Sequence, residues 1–385
     1  MVEQLICNQW VGGSIPFAGS TKERIIMTKK ISKLFIFAIA LVAATMVIIP
    51  LSSCNESKST LDKYFGAVYN RGGSAARTEN TLYAYTYAIE SGATCIQADM
   101  QMTKDGVIVL NHDPFLNSAY VKDKNGNYVK DKEVDIRTIT YKELQTYTIG
   151  PVDKNNKYYQ DNPIPEVEVT AKVPTLEELF QLVETSKNKD VLLNLEAKLY
   201  CDPSTGAYYT NNVDKEKFIN TFYDLVKNHK MEQRVILSSY DWSIFPIINQ
   251  LDKEIDTGAI WRITPSEDIG IGNLWFTKEE ASPWLNGNNV HAFDEGIIAI
   301  AFALDCDYIL PEKDSYSTEQ VEGAHNWGMK VIPWSLNSET EMDYAWNIGV
   351  DGIVSDNGEL LRSFLEDKEE DLLKPYSFKS DYHID

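Results

Sequence analysis

Gln97 and Asp99, two apart on one strand, and His112 and Asp113, just past the strand that returns, carry the first chemical signal of this chain. The stretch from Thr94 to Pro114 reads TCIQADMQMTKDGVIVLNHDP. Cys95, Ile96, Ala98 and Met100 predict a mostly apolar strand, Thr103-Lys104-Asp105-Gly106 a tight turn, and Val107 to Leu110 the return strand. Side chains two apart on a strand share a face, so Gln97 and Asp99 point the same way. An amide, a carboxylate and an imidazole therefore converge, a set that can hold a polar group and move a proton near neutral pH. Glu196 and Lys198 share a face in the same manner, near the end of the apolar run Val191-Leu192-Leu193-Asn194-Leu195-Glu196-Ala197-Lys198.

The elements that must position these groups alternate along the chain. Gly66 to Tyr69 is a short apolar strand ending in Asn70-Arg71-Gly72-Gly73, and Thr78-Glu79-Asn80-Thr81 supplies helix-start residues for a stripe of Leu82, Tyr85, Ala88 and Ile89 stopped by Gly92. With the strand at Thr94 this makes a βαβ unit. Capping boxes at Thr175 with Glu178, Ser317 with Gln320 and Ser338 with Glu341 open later helices, and a helix is expected from Asp214 to about His229. Further strands are expected at Val235 to Ser239, Thr257 to Trp261, Asp307 to Leu310, Lys330 to Leu336 and Asp351 to Asp356. Eight parallel candidates plus the hairpin strand, separated by helices, predict an α/β fold, a (β/α)8 TIM barrel with an extra β-hairpin strand and a surface insertion at about 116–173. Chemistry in such barrels sits at the C-terminal strand ends, where Asn70, Arg71, Gln97, Asp99, Glu196, Lys198, Ser239 and Trp334 all fall.

The chain has 385 residues, 43% hydrophobic and 24% charged, enough for one large core, and its net charge of −21 argues against nucleic acid as a partner. A small anion could still be held by a local cationic pocket. Near the N-terminus Lys29, Lys30 and Lys33 precede an apolar run from Leu34 to Pro50, and Leu51-Ser52-Ser53-Cys54 follows. That order resembles a bacterial lipoprotein signal, which would make Cys54 the lipidated first residue of an extracytoplasmic protein anchored to a bacterial membrane. The other reading is an uncleaved anchor, since about 17 apolar residues is near the short limit for a spanning helix. Residues 1–53 are thus read as an N-terminal extension and signal segment, with Met27 a natural start, 54–62 as a linker, 63–366 as the barrel and 367–385 as a polar tail. Cys95, Cys201 and Cys306 have no metal-binding spacing, and Cys95 and Cys306 read as small apolar strand residues.

From Tyr69 to about Leu361 the residues resemble the glycerophosphodiester phosphodiesterase family. Its His-Arg-Gly is Asn70-Arg71-Gly72 here, and Glu79-Asn80-Thr81, Gly92-Ala93, Gln97-Ala98-Asp99 and Thr103-Lys104-Asp105-Gly106 follow. His112-Asp113, the run from Pro174 to Glu178, Glu196-Ala197-Lys198, Trp334-Ser335-Leu336-Asn337 and Gly349 to Ile353 complete the pattern. The resemblance implies cleavage of a glycerophosphodiester to glycerol 3-phosphate and an alcohol. It also implies a divalent cation, Mg or Ca, at the positions of Gln97, Asp99 and Glu196. Arg71 and Lys198 would hold the phosphate, Asn70 and His112 stand where two histidines share the acid and base roles, and Trp334 would lie beside the substrate. Such chemistry needs cationic groups on the phosphoryl oxygens and a path for protons between attacking and departing oxygens.

Two positions depart from the pattern. Asn70 can hydrogen-bond a phosphate oxygen but cannot accept a proton, and Gln97 leaves Asp99 and Glu196 as the only carboxylates of the implied metal shell. Impaired hydrolysis with a weakly bound cation is therefore expected, against a catalytically inactive lipoprotein binding a phosphodiester or lipid head group, or a lyase giving a cyclic phosphate. Plainer structural roles also stand: Asp99 and Glu196 as buried partners of Arg71 and Lys198 without metal, His112 as a turn cap, and Trp334 as barrel core.

Overall fold

A computed structural model describes residues 60–157, 170–199, 214–262, 281–293, 296–378 and 381–382. Cys54, Cys201, the apolar run 34–50, and Trp275 and Phe276 lie outside the described residues. Among the described residues no helix is long and apolar enough to cross a membrane.

Among the described residues eleven strands follow in chain order: β1 Gly66–Tyr69, β2 Cys95–Met102, β3 Ile108–Leu110, β4 Val121–Lys122, β5 Thr148–Ile149, β6 Leu192–Ala197, β7 Val235–Ser239, β8 Asp256–Trp261, β9 Tyr308–Pro311, β10 Lys330–Val331 and β11 Gly352–Ser355. Eight of them form a parallel sheet in the order β10-β9-β8-β7-β6-β2-β1-β11, with β3 paired antiparallel to the outer part of β2. The ring closes between β10 and β11, where the Asp351 N–H donates to Val331 O (2.9 Å) and the Val354 N–H to Pro333 O (2.9 Å). This is the (β/α)8 barrel expected from the alternation. Its strands are apolar and β-branched because both faces are covered, and β2 and β6 are buried along their whole length. The β2–β6 register sets Gln97 opposite Asn194 and Asp99 opposite Glu196, which brings two carboxylates together at one level of the barrel.

Several local expectations are corrected. The strand from Lys330 to Leu336 shortens to two residues because Pro333 has no N–H to donate to the ladder, although Ile332 and Trp334 still donate to Ile309 O (2.9 Å) and Pro311 O (3.0 Å). Thr175 and Ser338 form the predicted capping boxes, whereas Ser317 makes no side-chain cap bond to the helix Thr318–Asn326. The helix Ile297–Ala303 was not anticipated, since IIAIAFA reads equally well as a buried strand. The insertion is more than a surface excursion: β4 and β5 pair over a small core of its own that includes Leu116, Val121, Ile136 and Val173. Beyond the exposed Glu369 and Asp371, the tail packs back on the barrel, with Leu372, Leu373 and Phe378 buried and the Tyr376 N–H donating to Glu90 O (2.9 Å).

Candidate active site at the barrel mouth

The C-terminal strand ends enclose a cavity of about 240 Å³ whose lining includes Asn70, Arg71, Gln97, Asp99, His112, Glu196, Lys198 and Trp334. These eight residues singled out from the sequence are therefore in one place, whereas Ser239 is buried with its hydroxyl donating to Ala197 O (2.9 Å). The turn after β1 makes this possible. Arg71 has a left-handed backbone (φ +50°), unusual for a non-glycine residue, and Gly72 beside it approaches Ala84 so closely that a Cβ would lie 2.7 Å from the Ala84 carbonyl carbon. That bend aims the Arg71 N–H at Gln97 Oε1 (2.9 Å) and sends its guanidinium toward Glu79 Oε2 (2.7 Å) and Asp99 Oδ2 (3.3 Å).

Asp99 is the hub. Its Oδ1 accepts from Gln97 Nε2 (2.8 Å) and faces Lys198 Nζ (3.2 Å), while Oδ2 accepts from Asn80 Nδ2 (2.9 Å) and faces Arg71 Nε. Burial pushes this carboxyl up, but Lys198, His112 and Arg71, with the Asn80 hydrogen bond, outweigh burial and hold it well below the usual carboxylate range. Glu196 goes the other way: burial and the negative charge of Asp99 raise it, against the pull of Lys198, whose Nζ donates to Glu196 Oε1 at 2.7 Å. The mouth thus holds one carboxyl shifted down and one shifted up from the ordinary carboxylate range.

His112 follows β3, and its Nδ1 lies 2.8 Å from Asp113 Oδ1. Burial pushes the Asp113 carboxyl up, but its bond to His112 and the nearby positive charges bring it below the ordinary value. An ionised carboxylate can only accept, so Nδ1 carries the hydrogen and Nε2 is left to accept or deliver a proton. The turn-cap role for His112 is thus joined to a place on the cavity wall. Asn70 is held by Asp356, whose Oδ1 accepts from its amide at 2.6 Å. Trp334 lines the cavity with its indole N–H on Leu310 O (2.9 Å) and its ring edge-on to Tyr240.

The donor set does not fit a divalent ion in this arrangement. Because Gln97 Oε1 accepts from the Arg71 backbone, its NH₂ must face Asp99 and, at 3.5 Å, Glu196. Gln97 therefore presents hydrogens where a ligand oxygen is needed, Lys198 Nζ bridges the two carboxylates, and the roughly four lone-pair positions of Asp99 all face donors. Among the described residues no group of three or more His, Cys, Asp or Glu is placed to hold a metal. The pairing of Asp99 and Glu196 with Arg71 and Lys198 is the charge network that the sequence left open as an alternative.

Three contributors were not picked out from the sequence: Asn80, which fixes Asp99 through both its amide groups and whose Oδ1 also accepts from Tyr85; Asp356; and Arg262. Asp356 ends one predicted strand and Arg262 directly follows another, so the strand-end rule used for the others would have found them.

A closed parallel barrel with ionisable side chains gathered at its carboxyl mouth defines an α/β-barrel protein that handles a small polar molecule there. Residues 71–360 match the glycerophosphoryl diester phosphodiesterase family, and the chain belongs to it. A glycerophosphodiester phosphodiesterase from Caldanaerobacter subterraneus is 26% identical over 295 residues, covering 76% of this chain and 95% of its own. A human lysophospholipase D is 23% identical over 314 residues, covering 77% of this chain and 85% of its own. Among solved structures, one from Silicibacter pomeroyi that carries the same family name superposes with a TM-score of 0.66 at 23% identity, over 78% of this chain and 93% of its own. A phosphodiesterase from Oleispira antarctica, solved with the product sn-glycerol-3-phosphate, gives 0.55 at 20% identity, over 80% of this chain and all of its own.

Proposed function

We propose that the barrel mouth receives a glycerophosphodiester and hydrolyses it slowly to glycerol 3-phosphate and an alcohol, with His112 as the proton acceptor. The observation that carries this reading is the Asp113-backed imidazole on the wall of the same cavity as the Arg71 and Lys198 cations. Water adds to phosphorus as its proton passes to His112 Nε2, and Arg71 and Lys198 offset charge on the phosphoryl oxygens. The P–O bond to the alcohol then breaks. The alcohol draws its proton from solvent because Asn70 has none to give, so turnover is slow.

A second reading, a receptor that binds the diester or a lipid head group without cleaving it, is favoured by the Asn70 amide held on Asp356. Assay of glycerol 3-phosphate release separates the two: release above the uncatalysed rate supports the hydrolase, and binding by calorimetry without release supports the receptor. A Mg or Ca ion would have to displace Lys198 and turn the Gln97 amide over, so it binds weakly at most. Chelator is expected to leave the rate unchanged, and calcium calorimetry should show measurable heat only in Gln97→Glu. Strong calcium binding by the parent protein would contradict this.

The basic, apolar and small-residue order ending at Cys54 supports an extracytoplasmic lipoprotein whose mature chain starts there, with barrel 63–366 on linker 54–62. Cys54→Ser is expected to move the protein from the membrane to the soluble fraction. Retention in the membrane would favour the uncleaved anchor.

A further inference from the structure

We infer that Arg262 forms a second anion subsite, so that the preferred ligand is a phosphodiester bearing another phosphate or a carboxylate on its alcohol; this rests on the phosphodiester reading above. Arg262 follows β8 directly and lines the cavity. Its Nε is buried without a hydrogen-bond partner, and no carboxylate of the described residues pairs with it. A buried N–H left without an acceptor is destabilising, and an incoming anion supplies the missing acceptor.

Arg71 and Lys198 are placed differently. They face three carboxylates, Glu79, Asp99 and Glu196, within 3.3 Å. In the ring order these groups come from β1, β2 and β6, three consecutive strands, while β8 is the fifth strand counted from β1 and so faces it across an eight-stranded barrel. Tyr240, Leu310 and Trp334 stand with Arg262 on that far arc. A diester with its phosphorus against His112 and the ionic arc must direct its alcohol across the cavity, where, among the described residues, Arg262 stands with Tyr240, Ile260, Leu310 and Trp334. Against an overall charge of −21, a doubly anionic ligand is drawn in by local cations rather than by the field of the whole chain.

The test is a matched pair, glycerophosphoinositol and glycerophosphoinositol 4-phosphate, titrated by calorimetry into protein carrying His112→Ala so that neither is consumed. The 4-phosphate compound is expected to bind about tenfold or more tightly, as one charge-assisted contact gives. Arg262→Ala should erase that difference and leave the affinity for glycerophosphoinositol unchanged, and Arg262→Lys should restore part of it. Equal weakening toward both compounds would place the reacting phosphate on Arg262 and overturn the subsite, as would no change toward either. Binding of neither compound before Arg262 is altered would bring down the phosphodiester reading itself, and the subsite with it.

Discussion

His112→Ala is expected to lower kcat for glycerol 3-phosphate release by about 10²- to 10⁴-fold, the range for losing one general acid–base group. Among the described residues His112 is the only imidazole on the cavity wall, and Asn70 cannot take over because an amide does not exchange a proton at neutral pH. The side chain is partly exposed and its Nδ1 lies 2.8 Å from the neighbouring Asp113 carboxylate, so folding should be little affected and thermal unfolding should report a near-native midpoint. KM should change less than kcat, because Arg71 and Lys198 remain to bind the phosphate. A fall in rate smaller than about tenfold, with folding intact, would mean that the proton travels by another route.

Asn70→His should act in the opposite direction, raising kcat by about 10²- to 10⁴-fold, because the surroundings of a catalytic imidazole are already in place. Asp356 Oδ1 accepts from Asn70 at 2.6 Å and from Ser74 Oγ at 2.8 Å, and its Oδ2 accepts from Asn337 at 2.6 Å, so the carboxylate is fixed from two other sides. An imidazole at position 70 would donate one ring N–H to that carboxylate and turn the other nitrogen to the leaving oxygen. Adding Gln97→Glu should then make the rate cation-dependent, by replacing an amide donor with a third carboxylate between Asp99 and Glu196. Should the double variant fold normally and release no more product than its parent, the limit on turnover lies somewhere other than these two positions. Activity gained from nothing would mark the natural protein as a receptor, and activity gained over a slow baseline as an impaired hydrolase.

The separation between what was legible and what was not follows the range of the interactions. The strand spacing placed Gln97 and Asp99 on one face, and their 2.8 Å contact is a local consequence of the two-residue repeat. The capping boxes at Thr175 and Ser338 were equally readable, since a side chain and the N–H three residues on meet within one turn. By contrast, Ile297–Ala303 could not be typed, because an unbroken apolar run satisfies both a buried strand and a buried helix. The packing of the tail was not legible for a related reason: its composition is polar on average, yet Leu372, Leu373 and Phe378 find apolar surface left by elements far away in sequence.

By itself the amino-acid order determined the alternation that closes into a barrel, the residue types at each strand end, and the loss of one imidazole and one carboxylate from the family pattern. Only the tertiary structure decided which way the Gln97 amide faces, because that depends on an N–H delivered by Arg71 from the turn after β1. It also decided that Lys198 lies between Asp99 and Glu196, that Asp356 holds Asn70, and that Arg262 meets no carboxylate among the described residues. The physical reason is that charge pairing and hydrogen-bond direction act over a few ångströms between groups that the chain separates by up to 286 positions, and only folding sets those distances.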